Sequence, residues 1–170
     1  MSKKRPYRVG RSRTGFGLFA TALIKKRAFI VEYRGPRIDN DEAQRRENRG
    51  NKYLYEINSK VTVDGTPRYN IARYANHSCR PNAESDTIKG KIIIRAIRDI
   101  QPGEEIVYDY GTDYFKNVIT PSRCRCLRCL RRRAKRQRER RAAQKRRAAR
   151  AAGKRRTART AQRQKAARRS

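Results

Sequence analysis

Arg73-Tyr74-Ala75-Asn76-His77-Ser78-Cys79-Arg80-Pro81-Asn82, followed downstream by Gly103-Glu104-Glu105-Ile106-Val107-Tyr108-Asp109-Tyr110-Gly111, concentrates the special chemistry of this 170-residue chain in two short blocks. The first holds the only histidine and one of four cysteines; the other three, Cys124, Cys126 and Cys129, follow the second block. Three thiols within six residues are too crowded for ordinary mutual disulfides, but they can wrap one tetrahedral Zn²⁺. Such an ion takes four ligands, and Cys79 is the remaining thiol. A closed four-thiolate site leaves no open position, so the expected role is structural: pinning the segment after Tyr110 to the block around Cys79. An arginine adjoins each cysteine (Arg80, Arg123, Arg125, Arg128) and would offset the negative charge of the thiolates.

Composition divides the chain. Residues 131–170 hold 20 Lys and Arg against one acid and contain no Leu, Ile, Val, Phe or Tyr. The preceding 130 residues hold 27 basic and 14 acidic residues and every aromatic. Only this first part can bury a core; the second is expected to be disordered when free, because it cannot bury enough apolar surface to offset its ordering entropy. The basic start, Met1-Ser2-Lys3-Lys4-Arg5-Pro6, lacks a secretory apolar stretch, and the best apolar run, Leu18 to Ile24, is far shorter than a membrane span of about 20 residues. The expectation is a soluble, intracellular protein without membrane contact, whose cysteines stay reduced.

The first part reads as short strands broken by turns. Phe29 to Tyr33 is β-branched and aromatic and stops at Gly35-Pro36, Tyr53 to Ile57 and Val61 to Val63 alternate, and Ile88 to Ile92 forms a hairpin tip that continues to Ile97. Ile106 to Tyr110 is a further strand after the turn at Gln101 to Glu104, with Tyr108 and Tyr110 on one face and Asp109 opposite. One helix is predicted, over Asp41 to Asn48, capped by Asp39 or Asn40 and stopped at Gly50. The fold class is therefore mostly β with short helices.

Together the blocks resemble the SET-domain protein lysine methyltransferases along nearly all of residues 10–130. Gly15-Phe16-Gly17-Leu18-Phe19-Ala20 resembles the family's opening G-x-G-L-F-A, and Phe29 to Gly35 its following strand. Val63-Asp64-Gly65-Thr66 with Asn70 to Asn82 is similar to "VDAT…GN-ARFINHSC-PN", and Gly103 to Gly111 to "GEELTYDYG". Cys124, Cys126 and Cys129 resemble the family's post-SET zinc cysteines, whose fourth ligand comes from the position of Cys79, although the spacing here is Cys-x-Cys-x₂-Cys and that of the family Cys-x-Cys-x₄-Cys.

The resemblance implies a SET fold of small curved sheets with a pseudoknot-like C-terminal threading. It divides the chain into a SET domain (1–115), a post-SET zinc-binding segment (116–130) and a disordered Arg/Lys/Ala-rich tail (131–170). It implies S-adenosylmethionine as methyl donor and a lysine of a basic, histone-like or nucleic-acid-associated protein as acceptor. Gly15, Phe16, Gly17, Arg73, Asn76 and His77 match cofactor-binding positions. Asn76 would bond the methionine end, and the His77 backbone the adenine edge. Tyr110 matches the catalytic tyrosine, Tyr108 the position that tunes methyl number, and Tyr53 a tyrosine lining the lysine channel. The alternative is an inactive chromatin- or nucleic-acid-binding protein that keeps the fold.

Such residues suit methyl transfer. Only about one free lysine in a thousand is neutral near pH 7, and a dry aromatic channel beside a sulfonium lowers the lysine pKa. Tyrosine hydroxyls can then aim the amine without a strong base. A cationic protein does not attract a free basic peptide at long range, so Glu84, Asp86, Glu104 and Asp113 are expected to form a local negative lip, or the substrate to be presented on nucleic acid. The tail is expected to bind DNA or RNA through phosphates, without sequence preference, gaining helix as its charges are neutralised. Chromatin or nucleoid association follows.

Overall fold

The computed structural model describes the backbone of residues 5–167 and the side chains of residues 5–154; the N-terminal residues 1–4 and the last three of the tail lie outside them. Residues 1–128 and 129–170 are two compact units.

The first unit is built of ten short strands in three small sheets. One sheet orders β1 (Tyr7–Ser12), β2 (Gly15–Ala20), β10 (Glu105–Tyr108) and β7 (Asn76–His77) as β1-β2-β10-β7. A second runs β3 (Phe29–Tyr33), β9 (Lys91–Ala96), β8 (Ala83–Ile88), and a third β4 (Arg37–Ile38), β6 (Val61–Asp64), β5 (Leu54–Asn58). Leu18, Ile92, Ile94, Ile100 and Ile106 are fully buried at the centre. Each contributes about 2 kcal/mol by leaving water. The expected strands over 29–33, 53–57, 61–63, 92–97 and 106–110 are present with shifts of a residue or two.

The expected helix is α1 (Asn40–Asn48), and its cap is Asp39, whose carboxylate accepts the Glu42 N–H at 2.7 Å. Gly65, where the family pattern has alanine, is required by a close approach: a Cβ there would overlap the Tyr33 hydroxyl. That hydroxyl donates to the Tyr53 carbonyl at 2.8 Å, so the glycine lets one site tyrosine brace the backbone of another.

The C-terminal threading is the insertion of β10 between β2 and β7. It pairs antiparallel with β2 and parallel with β7, opposing Val107 to Asn76 and Tyr108 to His77. Buried Asn82 clamps this crossing. Its amide donates to the Glu105 carbonyl at 2.8 Å and accepts the Val107 N–H at 2.9 Å, while its backbone N–H reaches the Val107 carbonyl at 3.1 Å. The two blocks that are remote in sequence are thereby joined residue by residue.

Beyond Tyr110 the chain makes a short turn, α2 (Thr112–Tyr114), and a wide π-type turn over Phe115–Ile119. The second unit differs from expectation. Where composition predicts a tail without order, the structure has one helix, α3 (Leu127–Ala167). Its alanines and unbranched Arg, Lys and Gln side chains are strong helix formers, and this propensity outweighs the like-charge repulsion. From Ala134 to Lys154 every residue is exposed, so no packed face holds it. No described helix is long and apolar enough to cross a membrane.

Candidate active site and thiol cluster

The crossing of β7 and β10 sets its tyrosines at the wall of a cavity of about 530 Å³. Tyr108 points inward from the end of β10, and the chain turns so that the Tyr110 ring lies 4.8 Å from it. The Tyr110 hydroxyl donates to the Ala75 carbonyl at 2.8 Å, and Tyr114 meets Tyr110 edge-on at 5.3 Å while donating to the Lys52 carbonyl at 3.1 Å. Tyr33, Tyr53 and Tyr55 complete the wall from β3 and the start of β5. Burial drives the Tyr33, Tyr108 and Tyr110 hydroxyls well above the usual tyrosine range. They are neutral hydrogen-bonding groups and not bases. The Tyr108 side chain is 6% exposed, and its hydroxyl has no hydrogen-bond partner among the described residues.

Arg73 lies across the cavity. Its guanidinium carbon is 3.9 Å from the centre of the Tyr53 ring, within cation–π range, and it donates to the Thr66 carbonyl. Its Nε is buried without a partner among the described residues. At another part of the wall lie Gly15, exposed Phe16 and Asn76; Phe16 meets Tyr74 edge-on at 6.1 Å. Asn76 donates to the Phe16 carbonyl at 2.9 Å and to Glu105 at 2.7 Å. Gly17, grouped with these by sequence, is not in the cavity wall; its α-carbon faces the Glu105 carboxylate.

His77 lines the cavity beside the thiols, two of which, Cys124 and Cys126, also line it. Its ring stacks on Phe115 at 5.1 Å, and its Nδ1 accepts the Tyr110 N–H at 3.3 Å. Burial holds its pKa below the ordinary value against the pull of Asp109, so the ring is neutral and its proton sits on Nε2, 3.3 Å from the Cys79 sulfur. The sulfur atoms of Cys79, Cys124, Cys126 and Cys129 lie within 4.8 Å of one another, with Cys79 and Cys124 at 3.9 Å. Tetrahedral Zn²⁺ with bonds of about 2.3 Å requires sulfurs about 3.8 Å apart, so the donor set and spacing fit that ion. Arg128 donates to the Cys79 carbonyl at 2.7 Å, and the Cys124 N–H to the Thr120 carbonyl at 3.1 Å. The short Cys-x-Cys-x₂-Cys run therefore still gathers four thiols.

The family model for the SET domain matches residues 15–111, which cover both blocks and six of the seven tyrosines of the wall, all but Tyr114. The chain belongs to the SET-domain family. It is 39% identical over 132 residues to the histone-lysine N-methyltransferase Set2 of Drosophila melanogaster, a match covering 71% of this chain and 6% of the relative. It is 42% identical over 120 residues to an H3 lysine-4 specific histone-lysine N-methyltransferase of Schizosaccharomyces pombe, covering 64% of this chain and 13% of that one. Among solved structures, it superposes on a chain of the Chaetomium thermophilum polycomb repressive complex 2 with a TM-score of 0.60 at 32% identity, over 66% of this chain and 16% of that chain. The chain thus spans a small part of the length of the relatives it matches.

Within this SET domain the expected acidic lip takes a different form. Arg95 lies 2.6 Å from Asp86 and 3.9 Å from Glu84, and Arg98 lies 2.9 Å from Glu104, so three of the four expected acids are committed to ion pairs. Asp113 instead borders a second groove, of about 750 Å³, with Glu47, Glu56 and Asp109. Among the described residues no lysine or arginine lines it, although the chain has 47 of them. The groove shares Leu54, Tyr55, Tyr110, Tyr114 and Val118 with the tyrosine cavity. Sequence reasoning missed Tyr33, Tyr55 and Tyr114 as wall residues, because they come from separate elements and no local pattern marks them, and it passed over Tyr74 although that residue sits in the first block.

Proposed function

We propose that this SET domain is an S-adenosylmethionine-dependent protein-lysine N-methyltransferase acting on a basic, histone-like or nucleic-acid-associated protein. The supporting observation is the single cavity on which Gly15, Phe16 and Asn76 converge with Tyr53, Tyr108, Tyr110 and Arg73. Bound S-adenosylmethionine supplies a methyl group carried on a positive sulfur. The chain's own residues prepare the acceptor. A lysine among these rings loses its hydration, and the Arg73 guanidinium adds repulsion, so both favour the neutral amine. The Tyr110 hydroxyl donates its hydrogen bond to the Ala75 carbonyl and offers an entering amine an acceptor lone pair. The Tyr108 hydroxyl is available to hold the amine or a water, which favours mono- or dimethylation. Tyr53, stacked under Arg73, and the remaining tyrosines exclude water and narrow the approach.

Residues 1–115 serve as the SET domain, and residues 116–130 as a structural zinc-binding segment using Cys79, Cys124, Cys126 and Cys129. Residues 131–170 serve as a nucleic-acid-binding segment that carries the enzyme to chromatin or an equivalent nucleoprotein. The groove lined by Glu47, Glu56, Asp109 and Asp113 suits a cationic peptide, and the histone methyltransferases among the relatives support a substrate of that kind.

Calorimetry with S-adenosylmethionine and transfer of tritiated methyl to a panel of basic proteins, with and without DNA, test this reading. Saturable uptake and labelling that DNA stimulates are expected. Folded, zinc-loaded protein that takes up no S-adenosylmethionine would end the enzyme assignment, and purely inhibitory DNA would end the idea of presentation on nucleic acid.

A further inference from the structure

Beneath the cavity, three strands converge on one carboxylate. Glu105 Oε1, at the start of β10, accepts the Ser12 hydroxyl of β1 at 2.7 Å and the Asn76 amide of β7 at 2.7 Å. The second Asn76 amide hydrogen goes to the Phe16 carbonyl at 2.9 Å. A carbonyl and an ionised carboxylate are both acceptors only, so a flipped amide would set oxygen against oxygen twice. The amide therefore has one allowed orientation. Its Oδ1 has no partner among the described residues, and Asn76 lines the cavity. An acceptor presented there suits a ligand's N–H donor or ammonium group.

Gly17 belongs to the same unit. A Cβ built on it would stand 2.5 Å from Glu105 Oε1 and 2.9 Å from the Ser12 Cβ. The second glycine of Gly15-Phe16-Gly17 thus makes room for a carboxylate on the side away from the cavity wall. We infer that Glu105 is a positioning residue: with Gly17 and Ser12 it locks the Asn76 amide so that Oδ1 receives the α-ammonium of the methyl donor's amino-acid end. This rests on the methyltransferase reading, but it assigns a function to a residue that touches neither donor nor acceptor.

The test compares two ligands by calorimetry. S-Adenosylhomocysteine carries the amino-acid end, and 5′-methylthioadenosine keeps the adenosyl part without it. Glu105→Ala is expected to weaken S-adenosylhomocysteine about tenfold, the scale of one charge-assisted hydrogen bond, and to leave 5′-methylthioadenosine unchanged. In an Asn76→Ala background it should have no further effect. Should Glu105→Ala fail to fold, the exchange pair decides. Asn76→Asp alone sets two carboxylates together and should weaken S-adenosylhomocysteine strongly, whereas adding Glu105→Gln, which can donate to the new carboxylate, should restore part of that loss. Equal weakening of both ligands, additivity with Asn76→Ala, or no recovery in the exchange pair overturns the inference. Wild-type protein that binds neither ligand overturns the methyltransferase reading itself, and the inference with it.

Discussion

Two tyrosines that stand 4.8 Å apart should respond oppositely to loss of the same atom. The Tyr108 hydroxyl faces the cavity without a partner among the described residues, so Tyr108→Phe breaks no hydrogen bond within the chain. A hydroxyl that reaches only cavity water contributes little to stability, and a phenyl ring there hides the same apolar surface. Tyr108→Phe is therefore expected to leave stability unchanged or raise it by up to about 1 kcal/mol. The Tyr110 hydroxyl instead satisfies the Ala75 carbonyl at 2.8 Å, on a residue that is itself fully buried. Tyr110→Phe strands that carbonyl and is expected to cost about 1–2 kcal/mol. The two variants should thus differ by about 2 kcal/mol, or about 8 °C in melting temperature for a domain of this size.

Urea titration with a common m-value, alongside thermal melting, measures the difference. The same Tyr108→Phe protein, freed of the hydroxyl and its water, should shift product toward trimethyl-lysine by mass spectrometry, while Tyr110→Phe should lose most activity. A Tyr108→Phe protein less stable than Tyr110→Phe would refute the assignment of hydrogen bonds in this wall. Efficient trimethylation by the unaltered enzyme would refute the role of Tyr108 in limiting methyl number.

Burial pushes the Asp64 carboxyl up, but hydrogen bonds from Thr66, Arg46 and Asn51 outweigh it and hold the pKa at about 2, below the ordinary 3.8. The folded pKa is the lower one, so this stabilisation is full above about pH 4 and lost as pH falls toward 2; thermal melts should show that slope, and Asp64→Asn should flatten it. Chelation of zinc, or Cys124→Ser, should lower the melting temperature of the whole protein and expose thiols to a colorimetric reagent; unchanged melting would remove the structural role of the cluster. Joint Glu47→Lys and Asp113→Lys substitution should raise KM for a basic peptide more than tenfold and leave S-adenosylmethionine affinity unchanged, since neither residue lines the donor's part of the cavity; equal KM values would remove the acidic groove from substrate capture.

Much of this fold is written locally. Phe29 to Tyr33 and Ile92 to Ile97 carry the β-branched and aromatic residues of buried strands, and Asp39 stands where a helix cap must. β1 carries no such signal. Its Arg8, Gly10 and Arg11 suit a strand only because β2 pairs with it over six residues. The cavity was legible in part, since Tyr53, Tyr108, Tyr110, Arg73 and Asn76 sit in recognisable blocks, whereas Tyr33, Tyr55 and Tyr114 reach it by tertiary packing. The bond from Asn76 to Glu105 spans 29 residues and depends on the crossing of β7 and β10. The fate of the acids was equally hidden: Glu84 opposes Arg95 by strand register, and composition does not contain register. In the tail, composition posed propensity against repulsion without weighing them, and the structure has the helix.

The formal charge of +32 conflicts with the proposed cationic substrate only when it is treated as a single number. Charges screen one another over about 8 Å at physiological ionic strength, so a peptide at the groove responds to its nearest side chains far more than to the remote tail. Those neighbours are Glu47, Glu56, Asp109 and Asp113, and no described lysine or arginine lines the groove with them. Elsewhere on the SET domain Asp86, Glu104 and Asp64 pair with Arg95, Arg98 and Arg46, whereas Glu47, Glu56 and Asp113 of the groove have no ion pair among the described residues. If this groove takes a basic peptide as proposed, its capture is a short-range event that weakens with added salt, while the general field of the protein favours a polyanion. A substrate that is basic and already lies on nucleic acid satisfies both fields at once, and a free basic peptide satisfies only the first. The ratio of methylation on DNA-bound to free substrate should accordingly fall as ionic strength rises, because the polyanion contacts are lost more steeply than the groove contacts.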